Sequence, residues 1–213
     1  GDKQGIAIAL GLIGELLSLK GEFPRAIEYL QKNLMLCEEL GYQKGIAKAV
    51  NTLGDVFYFT HQHERSLHFY ERAIQVTRSI GNKSVLCQSL IEKGRVLIDL
   101  QRIAQARQVI EEGHQLAQEL RHEEFLILSE TLQVELLHLD GQNTKALLLL
   151  DDLRQRYTST EAQALTNFLR YQLLPTDTRA RDRAIQAYEE LYAAEPRYLF
   201  RRRLADLRGE ALF

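Results

Sequence analysis

The chain has 213 residues, 45% hydrophobic and 26% charged, which excludes a disordered protein and allows a buried core. Its formal net charge is −2. This argues against a dedicated nucleic-acid-binding protein, because such proteins need a strongly basic surface. No apolar run reaches the roughly 18 residues that a membrane-spanning helix requires. With three prolines and no tryptophan among many Leu, Ala, Glu, Gln and Arg residues, the composition predicts helices nearly throughout.

The chain repeats itself with a period of 40 residues. Gly14, Gly54 and Gly94 share this spacing, and so do the small residues Ala26, Ser66, Ala106 and Ala146. A fixed period of this length is typical of stacked helical repeats. The predicted repeats span about 1–40, 41–80, 81–120, 121–159 and 160–196, within one repeat domain that covers 1–213.

Each repeat is predicted to form two amphipathic helices joined by a short turn. In the first repeat, Ile6, Leu10, Ile13 and Leu17 occur at helical spacing, and we expect them to face the core. Small residues recur at the same two positions of each repeat. We expect the two helices of a hairpin to cross there, because a larger side chain would push the backbones apart. These structural positions are Gly14, Gly54, Gly94, Ala26, Ala106, Ala146 and Ala184.

Both ends of the array carry expectations of their own. Residues 197–212 are predicted to form a last helix whose Phe200, Leu204 and Leu207 cap the final apolar face. Gly1-Asp2-Lys3 is similar to the linkers between repeats, so the chain is expected to be a fragment of a larger protein with further repeats ahead of it.

The pattern resembles the tetratricopeptide repeat. The matching residues are Ile13-Gly14, Leu17 and Gly21-Glu22-Phe23 with Ala26, and in the second repeat Leu53-Gly54 and Phe57. The 40-residue period is similar to the long-repeat type found in G-protein-signalling adaptors of the Leu-Gly-Asn type, kinesin light chains and the sensor domains of bacterial regulators. The resemblance implies an all-α, right-handed α–α superhelix, a solenoid of about five helical hairpins plus a C-terminal capping helix.

In that family the first helix of each pair lines the concave surface, so the resemblance also implies a partner-binding groove. Asn51 matches an asparagine that long-repeat relatives place ahead of Leu-Gly to clamp the backbone of a bound peptide. Ile91, Ile98 and Leu128 are expected to add apolar surface to a groove of mixed character. The predicted groove residues are Glu15, Lys48, Asn51, Asp55, Tyr58, Gln88, Arg95, Thr131 and Glu135.

Other residue clusters favour structural roles. His61, His63 and His68 match no strong zinc signature, so His61 is interpreted as a turn residue and His63 as a packing residue, and no metal or cofactor is expected. Cys37 and Cys87 are interpreted as buried and unpaired, which favours a reducing, cytoplasmic compartment. Arg201-Arg202-Arg203 is interpreted as a solvated helix face, with an anionic-ligand site as the alternative.

The leading hypothesis is a non-enzymatic protein–protein interaction module that binds a peptide or helix of a partner protein in its groove. The alternative is a regulatory domain of a larger, bacterial signalling or transcription regulator that senses a peptide or small ligand. An enzyme is not expected, since no catalytic constellation or phosphate-binding loop occurs. A membrane partner is excluded, nucleic acid is disfavoured, and a homodimer through the end repeats is a further hypothesis.

Overall fold

The computed structural model describes residues 2–211, which form eleven α-helices and no strand. The predicted all-α fold class, with five helical hairpins and a C-terminal helix, is confirmed. No helix in the described range has the length and apolarity to cross a membrane. The helices are α1 (Lys3–Lys20), α2 (Phe23–Glu39), α3 (Gln43–Phe59), α4 (His63–Ile80), α5 (Lys83–Asp99), α6 (Ile103–Leu120), α7 (Glu123–Leu139), α8 (Asn143–Arg156), α9 (Thr160–Leu173), α10 (Thr178–Ala194) and α11 (Tyr198–Arg208).

The chain divides into two compact units, Gly1–Ser129 and Glu130–Phe213, and the boundary lies within α7. In the first unit, α1 pairs with α2, α3 with α4, and α5 with α6. Each later hairpin packs on the one before it, because α3 contacts both α1 and α2, and α5 contacts both α3 and α4. In the second unit, α9 pairs with α10, and α10 also packs against α11.

Left-handed backbone at the turns ends most helices of the first unit. Gly21, Gly41 and Gly81 adopt positive φ there, as glycine readily does. His61 and Gln101 occupy the turn after α3 and the turn after α5 with φ of 57° and 58°. His61 thus takes the same conformation as glycine at the equivalent turn, which confirms its interpretation as a turn residue.

In the first three hairpins, the two helices come close together at the predicted glycines. A Cβ atom on Gly14 would lie 2.6 Å from Leu30 Cγ, and one on Gly94 would lie 2.4 Å from Ile110 Cγ1. On the second helix of the first and third hairpins, Ala26 and Ala106 are fully buried, and Ala146 is fully buried on α8. These contacts leave no room for a side chain, so the helix axes approach closely only because glycine is present.

Ser66 replaces the alanine of the other hairpins and uses its hydroxyl at the crossing. Its Oγ donates a hydrogen bond of 2.8 Å to the Gly54 carbonyl oxygen, and the side chain is fully buried. A buried hydroxyl is tolerated here because it has a backbone acceptor.

The first helix departs from the expected pattern. Leu17 is buried as predicted, but Ile6 and Ile13 are exposed, so the prediction that these two residues face the core is wrong. At the equivalent positions in α3, Ile46 and Leu53 are buried. The difference arises because α1 and α2 cover α3, whereas no helix of the described range precedes α1.

The C-terminal helix packs as predicted but is shorter. Phe200, Leu204 and Leu207 are buried, whereas α11 ends at Arg208 because Gly209 turns the chain with φ of 68°. The last predicted residue, Leu212, lies outside the described residues.

We predict that Gly54→Ala lowers the thermal melting temperature. The new Cβ would come within 2.7 Å of the buried Tyr70 ring, and overpacking of this kind costs about 1–3 kcal/mol. Alanine favours a helix over glycine by about 1 kcal/mol, so a net loss reports the clash. Gln75→Ala, on the exposed face of α4, is the control and should leave the melting temperature nearly unchanged. A Gly54→Ala protein that melts as high as wild type would show that the crossing is not close.

Candidate functional site

The first helices of the three hairpins in the first unit lie side by side, and polar side chains connect them. Lys48 Nζ on α3 donates to the Glu15 carboxylate on α1 at 2.8 Å. Ser89 Oγ on α5 donates to Asn51 Oδ1 on α3 at 2.6 Å. We call the surface formed by Glu15, Lys48, Asp55, Tyr58, Gln88 and Arg95 the inner face.

Asn51 lies beneath the inner face rather than upon it. Its side chain is only 4% exposed, and its amide oxygen already accepts the Ser89 hydroxyl hydrogen bond. The contact joins neighbouring repeats and satisfies a polar group that would otherwise be costly to bury. A role for Asn51 as a peptide clamp stays a prediction, and the observed contact gives it a structural role as well.

Asp55 forms the centre of a partly buried polar cluster. Tyr70 OH on α4 donates to Asp55 Oδ1 at 2.5 Å. Burial, together with the nearby Glu92 and Glu15 carboxylates, raises the pKa of the Asp55 carboxyl to about 8. The Tyr70 hydrogen bond and Arg95 lower this pKa and so oppose the rise. The same burial and the neighbouring acids raise the pKa of the Tyr70 hydroxyl well above its ordinary value. A protonated Asp55 is therefore favoured at neutral pH.

The remaining predicted residues of the first unit differ in how far they reach solvent. Lys48 is exposed, while Tyr58, Gln88 and Arg95 are half-buried. Arg95 Nε donates to Glu92 on the same helix at 3.1 Å. Tyr58 packs edge-on against His63, with ring centroids 5.7 Å apart. These four side chains together with Glu15 form the accessible part of the inner face.

The two apolar residues of α5 that were expected to line the groove are not accessible to a partner. Ile91 and Ile98 are both buried, so they belong to the core and the prediction that they line the groove is wrong. Of the apolar residues predicted for the groove, Leu128 on α7 is half-buried, as is the predicted Tyr58 ring on α3.

Thr131 and Glu135 belong to the second unit. Thr131 is buried and Glu135 is half-buried on α7. Nearby in the sequence, Glu130 accepts hydrogen bonds from Tyr157 OH at 2.8 Å and from Arg156 at 3.0 Å. These contacts hold α7 to the end of α8 within this unit.

The three histidines occupy separate environments. His63 packs between Tyr58 and His61, whereas His68 is exposed and contacts Phe69. The packing interpretation of His63 is confirmed, although its buried Nδ1 has no hydrogen-bond partner within residues 2–211. The described residues contain no group of three or more His, Cys, Asp or Glu side chains placed to hold a metal ion.

Both cysteines are unpaired and fully buried, as predicted. Cys87 Sγ contacts the Gly113 carbonyl oxygen at 3.2 Å, and burial raises the pKa of this thiol to about 11. Burial also raises the pKa of Cys37. High thiol pKa values disfavour the reactive thiolate, which suits a packing role.

The arginines near the C-terminus are largely engaged within the second unit. Arg203 donates to Tyr188 OH at 2.5 Å and lies over the Phe168 ring, and Arg208 pairs with Glu189. An open cavity of about 530 Å³ between α10 and α11 is lined by acidic as well as basic residues, including Glu189 and Arg201. This mixed charge favours the interpretation of a solvated helix face.

Sequence reasoning missed the residues that support the inner face. Tyr70, Ser89 and Glu92 come from α4 and α5, and each interacts with Asp55 or Asn51 through a contact between repeats or across a hairpin. The 40-residue register could have indicated Ser89, which is equivalent to Ala49 and Ser129. The Asp55–Tyr70 pair has no counterpart at Glu15 and Leu30 or at Arg95 and Ile110.

We predict that Asp55 makes stability depend on pH. Its folded pKa of about 8 lies above its ordinary value of 3.8, so the folded state binds the proton more tightly than the unfolded state. This contribution to stability is present at low pH and is lost as the pH rises towards about 8. The urea concentration at the denaturation midpoint should therefore fall more steeply with rising pH in wild type than in Asp55→Asn. Asp99→Asn, an exposed carboxyl change on α5, is the control, and parallel profiles for wild type and Asp55→Asn would contradict the prediction.

Comparisons with known proteins agree with this architecture. A sequence model of the family described as tetratricopeptide repeat matches residues 5–79. No curated protein matches the chain.

Solved structures match over nearly the whole chain. Aspartyl phosphate phosphatase F from Bacillus subtilis matches with a TM-score of 0.75 at 12% identity, covering 100% of this chain and 63% of that one. A Rap protein in complex with competence and sporulation factor gives 0.72 at 11%, covering 98% and 65%. YrrB, a tetratricopeptide-repeat protein with an unusual peptide-binding site, gives 0.50 at 16%, covering 91% and 89%.

At these identities the likeness concerns the fold, and the chain spans less than two thirds of the phosphatase and the Rap protein. The family match and the helical hairpins nevertheless agree with the repeat positions identified from the sequence. Residues 5–79 therefore match the tetratricopeptide-repeat family, as the resemblance found in the sequence predicted.

Proposed function

We propose that the chain is a non-enzymatic protein-interaction module whose inner face binds a peptide or helix of a partner protein. The observation that carries this proposal is the accessible polar row on α1, α3 and α5. Lys48 and Glu15 bridge the first two helices, and Gln88 and Arg95 continue the row on the third. These groups stand on helices held together by buried contacts, so they are positioned before a partner arrives.

The chemistry of the row suits an extended or helical segment. Amide and charged side chains can bond to peptide backbone and polar side chains, and the half-buried Tyr58 ring offers a stacking surface. Support also comes from the named neighbours, since the Rap protein is in complex with competence and sporulation factor and YrrB has a peptide-binding site. For this chain, the partner and its position on the inner face are part of the proposal.

We predict that peptides selected from a random display library against the wild-type chain bind through this row. The double variant Lys48→Glu/Gln88→Ala should raise the dissociation constant of such a peptide by at least tenfold, which corresponds to a loss of about 1.4 kcal/mol in binding free energy. The measurement is fluorescence anisotropy titration of the selected peptides, with circular dichroism to verify that each variant is folded.

Lys32→Glu provides a matched control on a second helix. Lys32 is 56% exposed and pairs with Glu28 at 2.6 Å, much as Lys48 is 60% exposed and pairs with Glu15 at 2.8 Å. The control should leave the dissociation constant within about twofold of wild type, because it removes an equivalent charge away from the inner face. If both variants lose the same affinity for the peptides, binding either occurs away from the inner face or depends only on the net charge of the protein.

A second candidate function, ligand sensing by a regulatory domain, is favoured by the Asp55 cluster. A cationic group that bound beside Asp55, Glu92 and Glu15 would stabilise the ionised carboxylate and release its proton, because burial holds the pKa of Asp55 at about 8. Binding would then be linked to the protonation of a group that connects α3 to α4.

Titration calorimetry distinguishes the two candidates. If a ligand couples to Asp55, its binding enthalpy at pH 7 will change with the ionisation enthalpy of the buffer, and Asp55→Asn will remove this dependence. A buffer-independent enthalpy in wild type would favour the interaction module without protonation-linked sensing.

A further inference from the structure

Aromatic rings form a continuous cluster beside the turn that joins α3 to α4. Phe59 stacks on Phe23 of α2 with ring centroids 5.9 Å apart, and Tyr58 meets Phe59 edge to face at 5.6 Å. His63 continues the cluster at 5.7 Å from Tyr58, and His61 follows at 5.9 Å from His63. Five rings in succession therefore connect the first hairpin to the second.

Most of this cluster lies at the surface. We call the four rings that reach solvent the aromatic platform, which consists of Tyr58, Phe59, His61 and His63. The first two and the last are half-buried, and His61 is exposed. By comparison, Tyr70 of the same hairpin is fully buried in the core. The platform is therefore accessible to a partner.

The turn between the helices does not require these rings. At the equivalent positions the third repeat has Ile98, Asp99, Gln101 and Ile103. Gln101 nevertheless adopts a φ of 58°, close to the 57° of His61. α6 begins at Ile103 as α4 begins at His63. The same turn forms with and without aromatic side chains, so the stability of the turn does not account for the platform.

His63 gives the platform a hydrogen-bond donor. Its Nδ1 is buried and has no hydrogen-bond partner among residues 2–211. Buried N–H groups without an acceptor are rare in proteins, so we place the ring proton on Nε2. The half-buried ring therefore presents an N–H group beside the neighbouring aromatic faces.

Carboxylates next to the platform are paired with arginines. Glu64, which follows His63, pairs with Arg102 at 2.6 Å. Glu22, which precedes Phe23, pairs with Arg25. Because these pairs balance the charge locally, the surroundings favour an uncharged partner segment over a strongly acidic or basic one.

We infer that the aromatic platform binds a proline-rich segment of a partner protein in the polyproline II conformation, an inference that rests on the interaction module proposed above. Polyproline II segments dock on aromatic surfaces, and they lose little conformational freedom because they are already extended. Proline has a carbonyl acceptor and no N–H group, which matches rings that carry an N–H donor. Adjacent platform rings meet at 62° to 76°, so faces and edges alternate and leave clefts for proline rings.

A fluorescent polyproline peptide of about ten residues is the probe, titrated against the chain by anisotropy. The triple variant Tyr58→Ile/His61→Gln/His63→Ile introduces the residues of the third repeat, which are compatible with the same turn. It should raise the dissociation constant of the probe at least about tenfold, because aromatic anchors carry much of the binding energy.

Tyr29→Ile is the matched control, since it removes a half-buried tyrosine from α2 outside the platform. It should leave the dissociation constant of the probe unchanged, and circular dichroism verifies that both variants are folded. Equal affinity of wild type and the triple variant for polyproline would overturn the inference.

Histidine ring signals in nuclear magnetic resonance spectra locate the contact. The ring C–H signals of His61 and His63 should shift as polyproline is added, whereas those of His114 on α6 should stay in place. The single variants His61→Gln and His63→Ile assign the first two signals. Equal shifts at all six histidines, or no shift at any of them, would overturn the inference.

Two further titrations distinguish this inference from an alternative occupant and from the proposed function. If a glycine–serine peptide with one phenylalanine binds more tightly than polyproline, the inference is overturned and the platform binds an aromatic side chain. Lys48→Glu/Gln88→Ala should leave polyproline binding unchanged, and a loss would place the probe on the polar row instead. If polyproline does not bind while the display-selected peptides still respond to that double variant, the interaction module stands and the platform inference fails.

Discussion

The close crossing of two helices inside each hairpin is the contact on which the rest of the first unit depends. At Gly14, Gly54 and Gly94 the helix surface has no side chain, and Leu30, Tyr70 and Ile110 occupy the space that a Cβ would take. This fixes how far apart the two helices lie and therefore which residues of the first helix remain available to neighbouring hairpins. Stacking between repeats then buries a second face of α3, whereas most of the equivalent residues of α5 are half-buried and those of α1 are exposed.

Two polar residues of α3, Asn51 and Asp55, support the inner face through hydrogen bonds to neighbouring helices. Asn51 and Asp55 are one turn apart on α3, and both use their polar atoms within the protein, one towards α5 and the other towards α4. Groups held in this way position their exposed neighbours, because a buried hydrogen bond restricts the helices that carry them. The side chains that remain accessible to a partner are therefore those of Lys48, Glu15, Gln88 and Arg95, together with the Tyr58 ring.

The unequal burial of equivalent residues illustrates how a repeat array distributes its stability. Leu53 and Ile13 occupy the same register position, yet only Leu53 is buried. Each repeat covers the apolar face of its neighbour, so the stability of a hairpin depends on the hairpins beside it as well as on its own residues. At the other end, α11 covers α10 with Phe200 and Leu204, and it closes that face with a helix that is not part of a hairpin.

The sequence by itself determined the repeat period, the helical hairpins and the residues at their crossings. Local spacing encodes these features, since helix periodicity and the need for a small residue at a close contact are visible in one chain. It also indicated the turn position of His61 and the packing of His63.

Only the tertiary structure decided which groups of that pattern are accessible. Ile6 and Ile13 match the core pattern but are exposed because no helix of the described range covers them, and Ile91 and Ile98 match a groove pattern but are buried. The high pKa of Asp55 likewise depends on burial and on the Glu92 and Glu15 carboxylates, which come from two other helices. Burial and electrostatics arise from residues that are distant in sequence and close in space, and periodicity along one helix does not contain that information.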